Sequence, residues 1–386
     1  MADKKRQHYV PRFYMREFAD SNKKFSVLNL KTGERIEKVS YSSQCYKDYY
    51  YGSDGIWEEQ LGEMENKWAD VIRSILSYKA LTTQDITLIK QFILYQRQRT
   101  YAEGEYLKQS RKETLVECAK MLYANKGWKF DEEAMRVCEE RAAHDTTPAE
   151  NLERAIGLTE FLEDLETTII TYKTNNELIS SDTPVISINP FHKFTIGYGC
   201  MGLIMLVPIS SHTLVVVYDS KMYTQFRGQQ YIEIHDDEEV NNLNILQYIS
   251  AEKILFASRL DELNRFGEKE KELRNTSRNR KAISTLGPGM QKMMTYGMRL
   301  TLYDHEFSFG HLGRQYRRIP FACREAAPRK WEKEWEEKLL IKPQIMSKII
   351  EIDPQMLINI GLSKKDLRRG YRKMASMAQI YWNTPI

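Results

Sequence analysis

The sequence predicts an α+β fold: a mixed or antiparallel sheet with a large helical insertion, followed by a smaller, basic, mostly helical C-terminal region. Three observations carry this prediction. β-Branched runs of strand length cluster in two places, near 25–39 and again from about 165 to 218. Between them, apolar residues recur at three- and four-residue spacing, the period of an amphipathic helix. Charge is also unevenly placed. Residues 271–386 hold 23 Lys and Arg against 11 Asp and Glu, a net of +12, which leaves 34 against 42 for residues 1–270, a net of −8. The division expected from these shifts is an α+β domain over 1–270 with its helical insertion near 55–160. A linker or mobile loop follows over 271–300, then a basic region over 301–386.

The elements follow in order. FSVLNLKTGERIEKV (25–39) reads as a hairpin, with Phe25, Val27 and Leu28 on one arm, Lys31-Thr32-Gly33 at the turn, and Ile36 and Val39 on the other. A tyrosine-dense loop, YSSQCYKDYYYG, comes next. From Trp57 to Lys79 the spacing of Leu61, Met64, Trp68, Ile72, Ile75 and Leu76 predicts a helix. A second helix opens at Thr82-Thr83-Gln84-Asp85, a capping sequence. Its apolar face, Ile86, Ile89, Phe92 and Ile93, runs on into Gln96, Arg99 and Thr100. A core-facing stripe that turns polar halfway needs partners for those groups. Further helices are expected at 105–123 and 130–144, and HDTTPAENL reads as a break and a new cap. TTIITYKT, ELIS, PVISI, GLIMLVPI and TLVVVY are strands, the first two joined at Asn175-Asn176. DDEEVNNLNILQYISAEKILFAS reads as one acid-capped helix with Val240, Leu243, Leu246, Ile249 and Leu255 inside. NTSRNRKAISTLGPGMQKMM reads as the linker. The last part combines a strand, MRLTLY, an Arg-rich loop and short amphipathic helices.

Composition excludes several classes. Apolar content of 42% and charged content of 28% fit a globular chain with a real core. No apolar run approaches the ~20 residues of a membrane span. MADKKRQH has no apolar segment behind it, so it does not read as a secretory signal. The five cysteines (Cys45, Cys118, Cys138, Cys200 and Cys323) are odd in number, widely spaced and form no C-x-x-C. Reduced thiols and a cytoplasmic location are expected. There is no phosphate-binding G-x-x-x-x-G-K-[ST], no G-x-G-x-x-G after a strand and no G-x-S-x-G. Asp304, His305, Glu306 and His311 are metal-capable types, but H-x5-H matches no zinc spacing, and no metal is assigned. No cofactor can be named.

Five short motifs, in order, carry a resemblance. His8-Tyr9-Val10-Pro11 with Phe13-Tyr14-Met15 and Phe18 resembles an H-x-V-P-x-x-Y-L-x-x-F opening. Gln96-Arg97-Gln98-Arg99-Thr100 resembles a helical Q-x-x-R-T-P segment, with Tyr101 in place of the proline. Ser181-Asp182-Thr183-Pro184 matches an S-D-x-P turn, Pro208-Ile209-Ser210 a strand ending in P-[IL]-S, and Asn244 to Ala251 an asparagine-led helix. Over roughly residues 6–260 the chain resembles the bacterial domain-of-unknown-function family 4238. The resemblance implies a prokaryotic, cytosolic accessory protein with a role in conflict with phages or mobile elements. It implies no particular reaction. It also suggests that the N-terminus is threaded into the domain. Pro11 keeps Tyr9-Val10 extended, Tyr14 and Phe18 share a helix face, and His8 is held in the interior or at a cleft edge.

His8, Asp182 and Arg99 are the candidate catalytic residues, and Gln96, Ser181 and Asn244 the candidate substrate-binding ones. A histidine transfers protons near neutral pH, an arginine forks onto phosphate or carboxylate, and amides position a bound group. The same residues also admit a purely structural reading. S-D-x-P is a turn whose Asp caps backbone amides, and Asp182 with Arg99 is a possible buried ion pair. Cys45 is a further nucleophile candidate, with His8 as its base. Arg314, Arg317, Arg318, Lys364, Lys365, Arg368, Arg369, Arg372 and Lys373 are the candidate nucleic-acid-binding residues, suited to a phosphate backbone. The leading expectation is a prokaryotic cytosolic protein acting on nucleic acid as a nuclease-like effector. One alternative is a non-catalytic interaction or sensor module with an acidic protein partner. Another is a hydrolase or transferase acting on a phosphorylated small molecule. Whether the chain is an enzyme stays open at this point.

Overall fold

A computed structural model describes residues 5–144, 147–188, 198–199, 202–223, 226–278, 282–284 and 293–295. Strand β1 (Arg6–His8) leads into a five-residue helix, α1 (Arg12–Arg16), with Pro11 at the cap in extended geometry. Strands β2 (Lys24–Asn29) and β3 (Arg35–Ser40) form the expected hairpin. Its turn is closed by Asn29, whose side-chain oxygen accepts from the amides of Lys31 and Thr32. Gly33 sits there at φ 75, a left-handed position that suits a residue without Cβ. The tyrosine-rich loop contains a short strand, β4 (Tyr46–Asp48), paired antiparallel with β1.

Five helices follow: α2 (Ile56–Leu76), α3 (Thr83–Gln98), α4 (Tyr101–Lys126), α5 (Glu132–His144) and α6 (Pro148–Leu158). Their starts are set locally. Thr82 and Asp85 form a reciprocal capping box, as do Thr147 and Glu150, and Thr100 accepts from the Glu103 amide. Pro148 stands at the first position of α6, where its missing N–H costs nothing.

The remaining elements are β5 (Glu166–Tyr172), β6 (Ser180–Ser181), β7 (Ile186–Ile188), β8 (Ile204–Ser210), β9 (Thr213–Tyr218), β10 (Tyr231–Ile234), α7 (Asp237–Ser250), β11 (Ile254–Ala257), α8 (Leu260–Asn264) and α9 (Glu268–Arg278). A short antiparallel pair, β12 (Ala282–Ser284) and β13 (Met293–Thr295), lies within the segment expected to be a linker.

The fold is α+β, but the strands divide between two main sheets where the sequence suggested one. A mixed five-stranded sheet has the order β10-β5-β9-β8-β7, with only β10-β5 parallel; an antiparallel four-stranded sheet has the order β3-β2-β11-β6. Strands β8 and β9 are buried on both faces, which is why they read as nearly unbroken apolar runs. Ile169, Met205, Val207, Val215 and Val217 face one core with α2, α3 and the N-terminal segment. Ile170, Leu206, Leu214 and Val216 face a second core with Val240, Leu243 and Leu246 of α7. The period of two thus sorts each strand between two helical layers.

The chain bends at Asn175-Asn176 between β5 and β6 as expected, although the two strands belong to different sheets, and the Asn176 amide donates to Asp237 Oδ1 at the start of α7 at 2.8 Å. One expectation needs correction. Leu255 is in a strand, not a helix. Helix α7 ends at Ser250, and ILFA pairs with both β2 and β6. That long-range pairing overrides the helical spacing.

Candidate functional site

The N-terminal strand is held by Arg99, the C-cap residue of α3. Its side chain is only 2% exposed, and all three nitrogens are engaged. Nε donates to the Tyr51 hydroxyl at 2.9 Å, Nη1 to Glu65 Oε1 at 2.8 Å, and Nη2 to the His8 carbonyl at 2.5 Å. Burial works against the charge, yet Tyr51 and Glu65 outweigh it and raise the guanidinium above its ordinary value. The ion pair of Arg99 is therefore with Glu65 of α2, not with Asp182. One turn earlier, Gln96 Nε2 donates to the Tyr9 carbonyl at 3.0 Å. The polar end of the α3 stripe thus binds successive peptide groups of the N-terminal strand. Gln7 adds to this, accepting from the Tyr51 amide and donating to the Gly52 carbonyl. The His8 ring is buried beside Tyr46, with Nε2 at 3.2 Å from the Ser42 carbonyl.

The S-D-x-P turn follows the same logic. Both carboxylate oxygens of Asp182 accept backbone amides, Oδ1 from Glu252 at 2.9 Å and Oδ2 from Lys253 at 2.8 Å. Burial pushes its pKa up to about 6, against the opposing pull of those amides. Ser181 Oγ accepts from the Thr183 amide, and Gln247 Nε2 of α7 donates to Ser181 Oγ and to the Thr183 carbonyl. Asn244, three residues before Gln247 on the same helix face, accepts from the Ile179 amide at 3.0 Å and donates to the Glu177 carbonyl at 2.8 Å. Beside Asn244 and Gln247 lies a void of about 10 Å³. That is room for about one water. Gln96 Oε1, Gln247 Oε1 and Thr183 Oγ1 are buried acceptors without a protein partner.

The six candidates therefore fall into two groups. His8, Gln96 and Arg99 meet at the N-terminal strand, while Ser181, Asp182 and Asn244 hold the segment before α7 and the exit from it. Residues named in the motifs but given no site role in the sequence link the two groups. Tyr14 binds both the Ser180 hydroxyl at 2.7 Å and the Pro208 carbonyl at 2.6 Å, joining α1 to both main sheets. Tyr9 bonds the Cys45 thiol, and Asp182 lies close enough to perturb both. Tyr101, which stands where the family motif has proline, occupies the first position of α4. Its ring receives the Lys253 ammonium 3.6 Å from its centroid. Arg97 and Gln98 bind other neighbours at the same corner, Arg97 to Ser187 and Glu103, the buried Gln98 to the Tyr198 hydroxyl at 3.1 Å. Tyr9, Tyr14, Arg97, Gln98 and Tyr101 were visible only as members of those motifs, Tyr51 only in the density of tyrosines at 46–51, and Gln247 only in its i,i+3 spacing from Asn244.

Cys45 does not have the setting of a nucleophile. It is 5% exposed, and burial pushes its thiol well above its ordinary value. The Nε2 of His8 lies against a backbone carbonyl, that of Ser42. Among the described residues no group of three metal-capable side chains converges, and no helix is long and apolar enough to cross a membrane. The candidate nucleic-acid-binding residues Arg314, Arg317, Arg318, Lys364, Lys365, Arg368, Arg369, Arg372 and Lys373 lie outside the described residues, as do His305 and His311.

The motif residues of the 6–260 stretch bind backbone groups of neighbouring segments, in two groups that Tyr14 and Tyr9 bring together. The chain belongs to that family: the model for "Protein of unknown function (DUF4238)" matches residues 6–261. No curated protein and no solved structure matches it.

Proposed function

We propose that the domain over 6–261 is a non-catalytic interaction module with an acidic protein partner, and that its buried polar set serves the fold. The observation that carries this reading is the engagement of Arg99. Three of its five N–H donors are bonded to a hydroxyl, a carboxylate and a carbonyl of the chain, and with the side chain 2% exposed it offers no open face to a substrate phosphate. Asp182 supports the same reading, since each of its oxygens already accepts a backbone amide. The basic segment 271–386 supplies the charge that would attract an acidic partner, acting in the cytoplasm of a prokaryote.

A second reading is favoured by the charge split alone: a protein acting on nucleic acid, a nuclease-like effector in defence against phage or mobile elements. In it the basic residues bind the backbone, and His8, Asp182 and Arg99 lie near the polar site. The reading as a hydrolase or transferase of a phosphorylated metabolite needs a closed pocket at the polar set. The void there holds no more than a water.

The deciding experiment titrates the full chain with labelled single- and double-stranded DNA and RNA at two salt concentrations. The same mixtures are run on a denaturing gel with magnesium or with chelator. The module reading expects no cleavage in any lane. Cleavage that disappears in Asp182→Asn, with folding retained, overturns it in favour of the nuclease.

A further inference from the structure

Arg97 and Arg99 stand two residues apart at the end of α3, about 200° apart around the helix, and so leave it on nearly opposite sides. Arg99 is bonded to the chain through all three nitrogens. Arg97 is not. Among the described residues only its Nη1 donates a hydrogen bond, to the Ser187 hydroxyl of β7. That leaves Nε and Nη2, the edge that pairs side-on with the two oxygens of a carboxylate. Glu103, in the first turn of α4, comes only to 3.9 Å from Nε, beyond hydrogen-bond reach.

The groups around this open pair converge from three segments. The Arg97 guanidinium lies over the Tyr198 ring, 5.3 Å from its centroid, and the buried Gln98 donates to the Tyr198 hydroxyl at 3.1 Å. Ser187 accepts from Arg97 and keeps its own O–H for an acceptor. The Glu103 carboxylate accepts no hydrogen bond among the described residues. Burial raises its carboxyl against the pull of Arg97, and no second Asp, Glu, Lys or Arg shifts either group. The side chains of Arg97 and Glu103 stay 23% and 15% exposed, so solvent reaches the unpaired edge. The pair thus presents a cationic fork and an anionic acceptor side by side, each with hydrogen-bonding capacity left over.

We propose that Arg97 and Glu103 form a recognition site for a small zwitterion of the α-amino-acid type. The ligand's carboxylate takes the free Nε–Nη2 edge of Arg97 and the proton of Ser187, and its ammonium faces the Glu103 carboxylate. A simple anion fits less well, since Glu103 stands beside it, and a simple cation meets Arg97. These groups are separate from those that hold the N-terminal strand, so the site leaves the fold-holding set untouched.

The full chain is titrated calorimetrically with each of the common α-amino acids, and the tightest binder is repeated as its N-acetyl and its amide derivative. The expected result is saturable one-site binding of at least one amino acid, weakened about tenfold or more by either blocking group. Arg97→Lys, which keeps the charge and loses the fork, and Glu103→Gln are each expected to weaken it by a similar factor at an unchanged unfolding temperature. No saturable binding by any of the amino acids overturns the proposal. So does a blocked derivative that binds as tightly as the free amino acid, or affinity unchanged in both variants. The blocked derivatives are tested on the wild-type chain, so they decide the matter whether or not a variant folds.

Discussion

Arg99 stands where three separate segments of the chain need a common donor: the strand at His8, the loop at Tyr51 and the helix at Glu65. Removing one partner of a buried charge pair costs about 3–5 kcal/mol, because the other charge and the carbonyls lose their compensation. Arg99→Met is expected to lower the free energy of denaturant unfolding by about 3 kcal/mol, at the low end because Glu65 is partly exposed. Arg99→Lys recovers little of this, since one ammonium cannot span a fork. Asp182 makes a prediction of opposite character. Its pKa rises from 3.8 to about 6 on folding, so the folded state binds the extra proton. This group's contribution to stability is therefore greatest below about pH 4 and is lost as pH rises through about 6. The full change is on the order of 3 kcal/mol. The difference in unfolding free energy between wild type and Asp182→Asn should grow as pH falls from 7 to 4. A difference that shrinks over that range contradicts the burial-dominated carboxyl.

At the scale of elements, α1 joins the two sheets to the helical layer. Tyr14 reaches Ser180 and Pro208, and Phe18 meets Phe256 edge-on at 5.5 Å, which in turn stacks on Phe25 at 4.9 Å. Tyr14→Phe leaves the buried Pro208 carbonyl without its donor and should cost about 1–3 kcal/mol by denaturant unfolding. Phe18→Ala opens a cavity among packed rings and should cost about 3–5 kcal/mol. These elements also show what was legible beforehand. The capping boxes at Thr82–Asp85 and Thr147–Glu150 were readable because both partners lie within four residues. The strands β8 and β9 were readable because burial on both faces leaves almost no polar break, and β5 because its Thr and Ile are β-branched. The division into two sheets was not, since whether ILFA pairs with β2 or continues α7 depends on partners more than two hundred residues away. The polar end of the α3 stripe was visible as an anomaly. Its resolution was not, because Glu65 and the His8 carbonyl are invisible to any local pattern.

At the scale of the whole molecule, the N-terminal strand is a central tie between layers. Tyr9, Val10, Tyr14, Met15 and Phe18, just after it, belong to the apolar core shared with α2, α3 and the five-stranded sheet, and the buried hydrogen bonds from α3 and the tyrosine loop hold it in place. This arrangement supports the proposed module, since the groups that hold the tie are buried within the chain. The basic segment belongs to a different physics, and any contact it makes with a polyanion should weaken steeply with salt. The central claim is that the polar set holds the N-terminus in the fold. Its most direct test is amide hydrogen exchange of the peptide spanning 6–18, followed by mass spectrometry in wild type and in Arg99→Met under native conditions. Accelerated exchange across 7–9 in the variant, with β8 and β9 still protected, is the predicted result. Unchanged protection of 7–9 would contradict the claim and return Arg99 to the list of groups available for chemistry.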